Sequence, residues 1–143
     1  MPLAYWPGSS TEKRLKEIAK RMRAKVATDF SGVILKGTNI LYRRGAAYIQ
    51  KRRSKKYPRW NWKKPFGKPA DWRLVDYVLL HGPEIGQADE AFFLFTVEEA
   101  ENFYREWRNG LNVPADPISV PRDNRNLILE HQRTLREVIR TVA

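Results

Sequence analysis

The sequence predicts a single α/β domain, a mixed central sheet flanked by helices, and three observations carry that prediction. Residues 72–80 and 91–95 are apolar on both faces of an extended chain, the pattern of strands covered on either side by helices. Three other stretches place apolar residues at helical spacing, one near the start of the chain and two after the second buried strand. Between them run short strand-like segments separated by Gly, Ser and Asn turn signals. A chain of 143 residues is long enough to bury a core of its own as one domain.

The first helix is expected from about Thr11 to Ala24. Ser9 and Glu12 stand at capping-box spacing, and Leu15, Ile18, Ala19 and Met22 form a stripe opposite Lys13, Arg14, Lys16, Lys20 and Arg21. Lys25 to Phe30 reads as a short strand closed by a Ser31-Gly32 turn, Val33 to Leu35 as a strand, and Lys36 to Asn39 as a turn. Ile40 to Tyr42 and Ala46 to Arg52 continue as strands broken at Gly45. Ser54 to Pro69 has turn residues and no clear period, which predicts an extended loop or a β-hairpin reaching outward. Trp72 to Leu80 and Ala91 to Phe95 are the two buried strands, joined by a loop over residues 82–89. Thr96 and Glu99 repeat the capping-box spacing ahead of a helical face made by Val97, Ala100, Phe103, Tyr104, Trp107 and Leu111, with Gly110 as its stop. Pro114, Pro117 and Pro121 mark a connection, and a last helix is expected from about Asn126 to the end.

Charge is distributed unevenly. Residues 43–73 hold twelve Lys and Arg against one acid, Asp71, a formal +11 that equals the net charge of the whole chain. Tyr48, Tyr57, Trp60, Trp62, Phe66 and Trp72 are threaded through the same window. Cations pair with phosphates and flat rings stack on bases or sugars, so the window points to nucleic acid. The contacts expected are Arg43, Arg44, Arg53, Lys55, Lys56, Arg59, Lys63, Lys64 and Lys68, with Trp60 and Trp62 beside them and Trp72 in the core. A membrane surface would call for a continuous amphipathic basic helix, which Pro58, Pro65, Gly67 and Pro69 forbid.

Several chemistries are excluded. With no cysteine there is no disulfide framework, no thiolate nucleophile and no Cys-based zinc site, and a reducing, cytoplasmic setting fits. His81 and His131 are too few for a His-built metal centre. No apolar run approaches the ~20 residues of a membrane span, and no signal-peptide pattern opens the chain.

A helix, a meander of strands, then a strand and a helix resembles the restriction-endonuclease-like fold of the PD-(D/E)XK nuclease family. The matching positions are Glu12 or Glu17 on the first helix, Asp29 just before Gly32-Val33-Ile34-Leu35, and Gln50-Lys51-Arg52 at the end of Ala47-Tyr48-Ile49. The resemblance extends over residues 11–108, through Asp71-Trp72 into the two buried strands. It implies that Asp29 and Gln50 hold Mg²⁺ or Mn²⁺, that a helix acid assists, and that Lys51 or Arg52 meets the scissile phosphate. It also implies double-stranded DNA as partner and a homodimer or higher homo-oligomer to reach two strands. Two positions depart from the family pattern: Asp29 lacks the preceding Pro, and Gln50-x-Arg52 stands where Glu-x-Lys is usual. Gln ligates a metal without adding charge, and Arg does not act as a base.

Simpler roles stand beside these. Glu12 fits a helix cap, Glu17 a solvated helix charge, Asp29 a turn residue and Gln50 a nucleic-acid contact. Asp76, inside an apolar stretch, is expected to pair with Arg73 or a helix arginine. His81 ends a buried strand as a structural residue or a general acid or base. Two functions follow: a divalent-metal-dependent endodeoxyribonuclease, or a non-catalytic DNA- or RNA-binding module in which Trp60 and Trp62 favour single strands.

Overall fold

The computed structural model describes residues 5–53, 55–62, 71–84, 89–111, 118–121 and 129–143. Helix α1 (Ser10–Met22) forms on the predicted stripe, with Leu15, Ile18, Ala19 and Met22 buried and the Glu12 amide donating to the Ser9 hydroxyl at 3.2 Å. It ends at Arg23, whose left-handed conformation (φ 57°) lets its amide reach the carbonyls of Ala19 and Lys20.

Strands β1 (Lys25–Val26), β2 (Gly32–Leu35) and β3 (Thr38–Arg44) make an antiparallel meander. β1 stops at Val26 instead of reaching Phe30 because residues 28–31 bend. The closing pair Leu35↔Thr38 leaves only Lys36 (φ 49°) and Gly37 (φ 83°) in the turn. Positive φ at both positions is what a primed two-residue hairpin needs to match strand twist.

Through Gly45 the chain leaves this sheet for β4 (Ala46–Arg52), which pairs antiparallel with β5 (Lys55–Trp62). β6 (Tyr77–Gly82) returns to the first sheet, parallel to β3 from Ile40↔Tyr77 to Arg44↔His81, and β7 (Ala91–Thr96) lies antiparallel beside it. Helix α2 (Val97–Leu111) follows at once, started by a reciprocal box between Thr96 and Glu99, and it runs through Gly110. β8 (Ile118–Pro121) adds to β5, and β9 (Gln132–Arg133) adds to β7 ahead of α3 (Leu135–Val142). The two sheets are thus β1-β2-β3-β6-β7-β9 and β4-β5-β8.

Two predicted boundaries move, each for a local reason. The first buried strand starts at Tyr77, not Trp72, and Asp71–Arg73 is a 3₁₀ turn. Ahead of Tyr77 the chain is tied to Asn39: the Asp76 carboxylate accepts from the Asn39 amide at 3.0 Å, and the Asp76 amide donates to the Asn39 carbonyl at 2.8 Å. Asp76 is therefore an exposed staple between β3 and β6, held by a backbone amide where a salt bridge was expected. The last helix begins at Leu135, not near Asn126, because Thr134 and Glu137 form a complete capping box there.

Alternation along β6 and β7 divides the core. Val78, Leu80, Phe93 and Phe95 belong to the side that holds Ala100 and Trp60 and Trp62 of β5. Ile40, Tyr42, Leu79, Phe92 and Leu94 face α1 and α3. α1 and α3 therefore cover one face, and α2 together with β5 of the second sheet covers the other.

Candidate functional site

Within the basic window β4 and β5 form an antiparallel hairpin, the ribbon, to which β8 adds along Arg59–Trp62. Arg43 and Arg44 end β3, Gln50, Lys51 and Arg52 end β4, and Lys55, Lys56 and Arg59 lie on β5. The pairing closes at Arg52↔Lys55, with Arg53 (φ 57°) exposed in the turn. Lys63, Lys64 and Lys68 lie outside the described residues. The register sets Lys51 opposite Lys56 and Arg52 opposite Lys55.

Trp60 and Trp62, expected as nucleic-acid contacts, are core residues, 0 % and 1 % exposed. As residues two apart on a strand they share one face, and that face packs edge-on against Phe93, with ring centroids 6.0 Å away in both cases. The Trp60 indole N–H donates to the Pro83 carbonyl at 2.8 Å, and that of Trp62 to the His81 carbonyl at 3.2 Å. Their rings lie directly over Gly82 and Gly45, where an added Cβ would stand 2.6 and 2.8 Å from indole atoms. Two indoles seated on two glycines fasten the ribbon to the end of β6.

The residues drawn from the nuclease resemblance are spread over α1, the bend between β1 and β2, and β4 of the second sheet. Glu12 sits in the first turn of α1, bound to Lys16 at 3.0 Å, which holds its carboxyl below the usual range. Glu17 is exposed one turn further along. Asp29 is exposed in the bend before β2 and accepts from the Thr28 hydroxyl at 3.1 Å. Gln50, Lys51 and Arg52 belong to β4 in the second sheet, because the chain changes sheet at Gly45.

A different set of polar groups converges where β3 and β6 end together. His81, 6 % exposed, stacks on Phe92 at 4.3 Å, with Tyr42 on one edge and Glu90 on the other. Tyr42 Oη lies 2.5 Å from His81 Nδ1, and Glu90 Oε2 lies 2.8 Å from His81 Nε2. Arg21, reaching over from α1, clamps both oxygens of Glu90, with Nη1 3.1 Å from Oε2 and Nη2 on Oε1. These groups line a cleft of about 450 Å³ together with Arg14, Glu17 and Arg44. The ribbon starts immediately beyond it, where the Gly45 amide donates to the His81 carbonyl at 2.9 Å.

The network fixes its own proton positions. An ionised carboxylate only accepts, so Nε2 of His81 carries the hydrogen donated to Glu90, and Nδ1 accepts from the Tyr42 hydroxyl. Burial drives the His81 pKa below its ordinary 6.5 and outweighs the opposing pull of Glu90. Arg21, then His81, hold Glu90 below the usual carboxylate range. Burial pushes the Tyr42 phenol well above its ordinary value, with Arg44 and Arg21 pulling against it.

Stability should follow pH accordingly. Folded His81 and Glu90 both bind protons less readily than in the unfolded chain, so unfolding takes up protons on acidification. The full contribution is present above about pH 6.5, the His81 part declines first as pH falls, and the Glu90 part goes as pH falls through its lowered value. The melting temperature measured between pH 8 and pH 4 should fall towards acid, and Glu90→Gln should flatten the most acidic limb. A melting temperature that rises from pH 7 to pH 5 would contradict this account.

His131 has a packing role: it stacks on Phe95 at 4.0 Å and lies 3.6 Å from Glu99. Among the described residues, no three His, Asp or Glu side chains lie together as a metal-holding group, and no helix is long and apolar enough to cross a membrane. The members of the cleft network went unread because they come from α1, β3, β6 and the approach to β7. Only His81 stood out, as the one polar residue closing an apolar run. No protein-family model, curated protein or solved structure matches this chain.

Proposed function

We propose that this chain binds double-stranded DNA through the β4–β5 ribbon. The observation that carries the reading is the ribbon tip, where Lys51↔Lys56 and Arg52↔Lys55 set like charges across the pair. From Arg43 to Trp62 the chain has eight cations and no acid. Beyond Arg59, where β8 no longer pairs with β5, the ribbon is two-stranded and of a size that the major groove admits, and its cations would lie along the phosphates on either side. Duplex is favoured over single strands because Trp60 and Trp62, the rings that would have stacked on splayed bases, are committed to the core.

The restriction-endonuclease-like architecture belongs to the same proposal. Its support is α1 followed by the antiparallel β1–β2–β3 meander with β6 parallel to β3. On that reading, cleavage of the bound duplex depends on Mg²⁺ or Mn²⁺ near Asp29 and Gln50.

One experiment addresses both statements. Fluorescence anisotropy with a randomised duplex, across a salt series, should give a log–log slope of about −7 if all eight cations release a counterion. A slope shallower than about −2 would remove the ribbon as the main contact surface. The same reactions, run with Mg²⁺ or with EDTA and sequenced for new ends, test the metal reading. Ends found only with metal at one shared sequence would support it, and a palindromic sequence would add a homodimer.

A further inference from the structure

We propose that Tyr42 is the nucleophile of a phosphoryl-transfer site at the foot of the ribbon, with His81 as its base, Glu90 orienting that base, and a nucleic-acid phosphodiester as substrate. The inference rests on the nucleic-acid reading above and is independent of Asp29, Gln50 and any metal.

The hydrogen-bond directions carry the argument. A weak oxygen nucleophile is activated when a base lies within hydrogen-bond reach and a third group holds that base in the right tautomer. Here Tyr42 Oη lies 2.5 Å from His81 Nδ1, and Glu90 lies 2.8 Å from the opposite nitrogen. Glu90 fixes the hydrogen on Nε2, so the lone pair of Nδ1 faces the phenol. Both ring nitrogens are engaged, and the proton that Nδ1 is set to take is therefore that of Tyr42 and not of a water. Arg21 grips Glu90 from its other side and fixes the carboxylate in place.

The surroundings fit a phosphodiester. Arg14 and Arg44 line the cleft together with Tyr42, and the same three residues line a second, smaller cleft. Guanidinium groups there suit the two non-bridging oxygens of a phosphate and the charge that grows on them during displacement. Tyr42 and His81 are themselves 5 % and 6 % exposed, and with Arg21 and Glu90 they line an opening about 450 Å³ in volume. Arg44 connects the cleft to the binding element, since the ribbon begins two residues later at Ala46. A duplex backbone followed along the ribbon towards its foot leads to this opening.

The chemistry is a transesterification. Burial raises the Tyr42 phenol and lowers His81 in the resting site, so the proton passes to His81 Nδ1 only as Tyr42 Oη bonds to phosphorus, and the imidazolium formed is stabilised by Glu90. The bond from phosphorus to one bridging sugar oxygen breaks. That oxygen leaves as a hydroxyl, taking a proton from solvent in the open cleft, and His81 returns its proton to solvent. A phosphotyrosyl ester and a free sugar hydroxyl result, with no net uptake of protons and no redox partner. Attack by the same hydroxyl reverses the step and reseals the strand.

The test uses a randomised duplex carrying a single bridging phosphorothiolate, whose thiolate leaving group reverses poorly and traps the adduct. Wild-type protein is incubated with it in EDTA, denatured, digested and mapped by mass spectrometry, while anisotropy on the same duplex reports binding. The expected result is an adduct on the Tyr42 peptide. It should be absent in Tyr42→Phe, shown to be folded by its melting curve, and formed at least about a hundredfold more slowly in His81→Gln. Binding without any adduct, or an adduct that maps elsewhere or persists in Tyr42→Phe, would overturn the Tyr42 assignment. Absence of binding would instead overturn the nucleic-acid reading, and this inference with it.

Discussion

Trp60→Ala is expected to lower the unfolding free energy by about 4 kcal/mol, the cost of emptying the site of a large buried ring. Domains of this kind are stable by roughly 5–15 kcal/mol, so one substitution removes a large share of the total. The ring is fully buried and packs on Phe93 at 6.0 Å and Trp62 at 6.1 Å, with Gly82 beneath it. Relaxation into the void is limited, because the opposing surface is glycine backbone on a central strand. Trp60→Phe keeps part of the packing but leaves the Pro83 carbonyl without its indole donor, a loss of about 1–3 kcal/mol. Urea titration followed by circular dichroism measures both, and the alanine variant should have the lower midpoint. An unchanged midpoint in Trp60→Ala would put the ring at the surface and restore the nucleic-acid contact that the sequence had led us to expect.

That contrast shows what was legible. Local devices were: the α1 stripe, the caps at Ser9 and Thr96, and the two-sided apolar strands all depend on residues near each other in the chain. The ribbon was legible only in part: Ala46 to Arg52 was expected as a strand, but Ser54 to Pro69 was read as an extended loop or a hairpin of its own, whereas Lys55–Trp62 pairs back on β4. Trp60 and Trp62 were misassigned because their neighbours in sequence are cations, whereas their neighbours in space are Gly45, Gly82 and Phe93. Those glycines were read as a strand break and a loop start, and nothing local marks them as seats for indoles. The sheet that carries Gln50 was not legible: β4 belongs to the second sheet. A change of sheet at Gly45 has no local signature beyond the glycine itself. β8 was hidden by its prolines, which an edge position tolerates. The cleft is the extreme case, because it appears only when β3 and β6 lie parallel and bring Tyr42 and His81 together.

Replacing Lys51, Arg52, Arg53, Lys55, Lys56 and Arg59 together by glutamine should separate binding from stability. Two of the eight cations between Arg43 and Trp62, Arg43 and Arg44 at the end of β3, would remain. The salt slope should then relax from about −7 to about −2, and duplex affinity at low salt should fall at least about a thousandfold. The fold should not suffer. The exchange removes the like-charge pairs Lys51↔Lys56 and Arg52↔Lys55 and leaves the indole anchors untouched, so the melting temperature should hold or rise. These opposite signs matter because a merely structural hairpin would lose stability, or nothing, without a thousandfold effect on DNA. Should affinity survive the change, the phosphates must be met elsewhere. The exposed cations Lys13, Lys16 and Lys20 of α1 would be the next surface to neutralise. Should both binding and stability fall, the ribbon would be part of the folded framework.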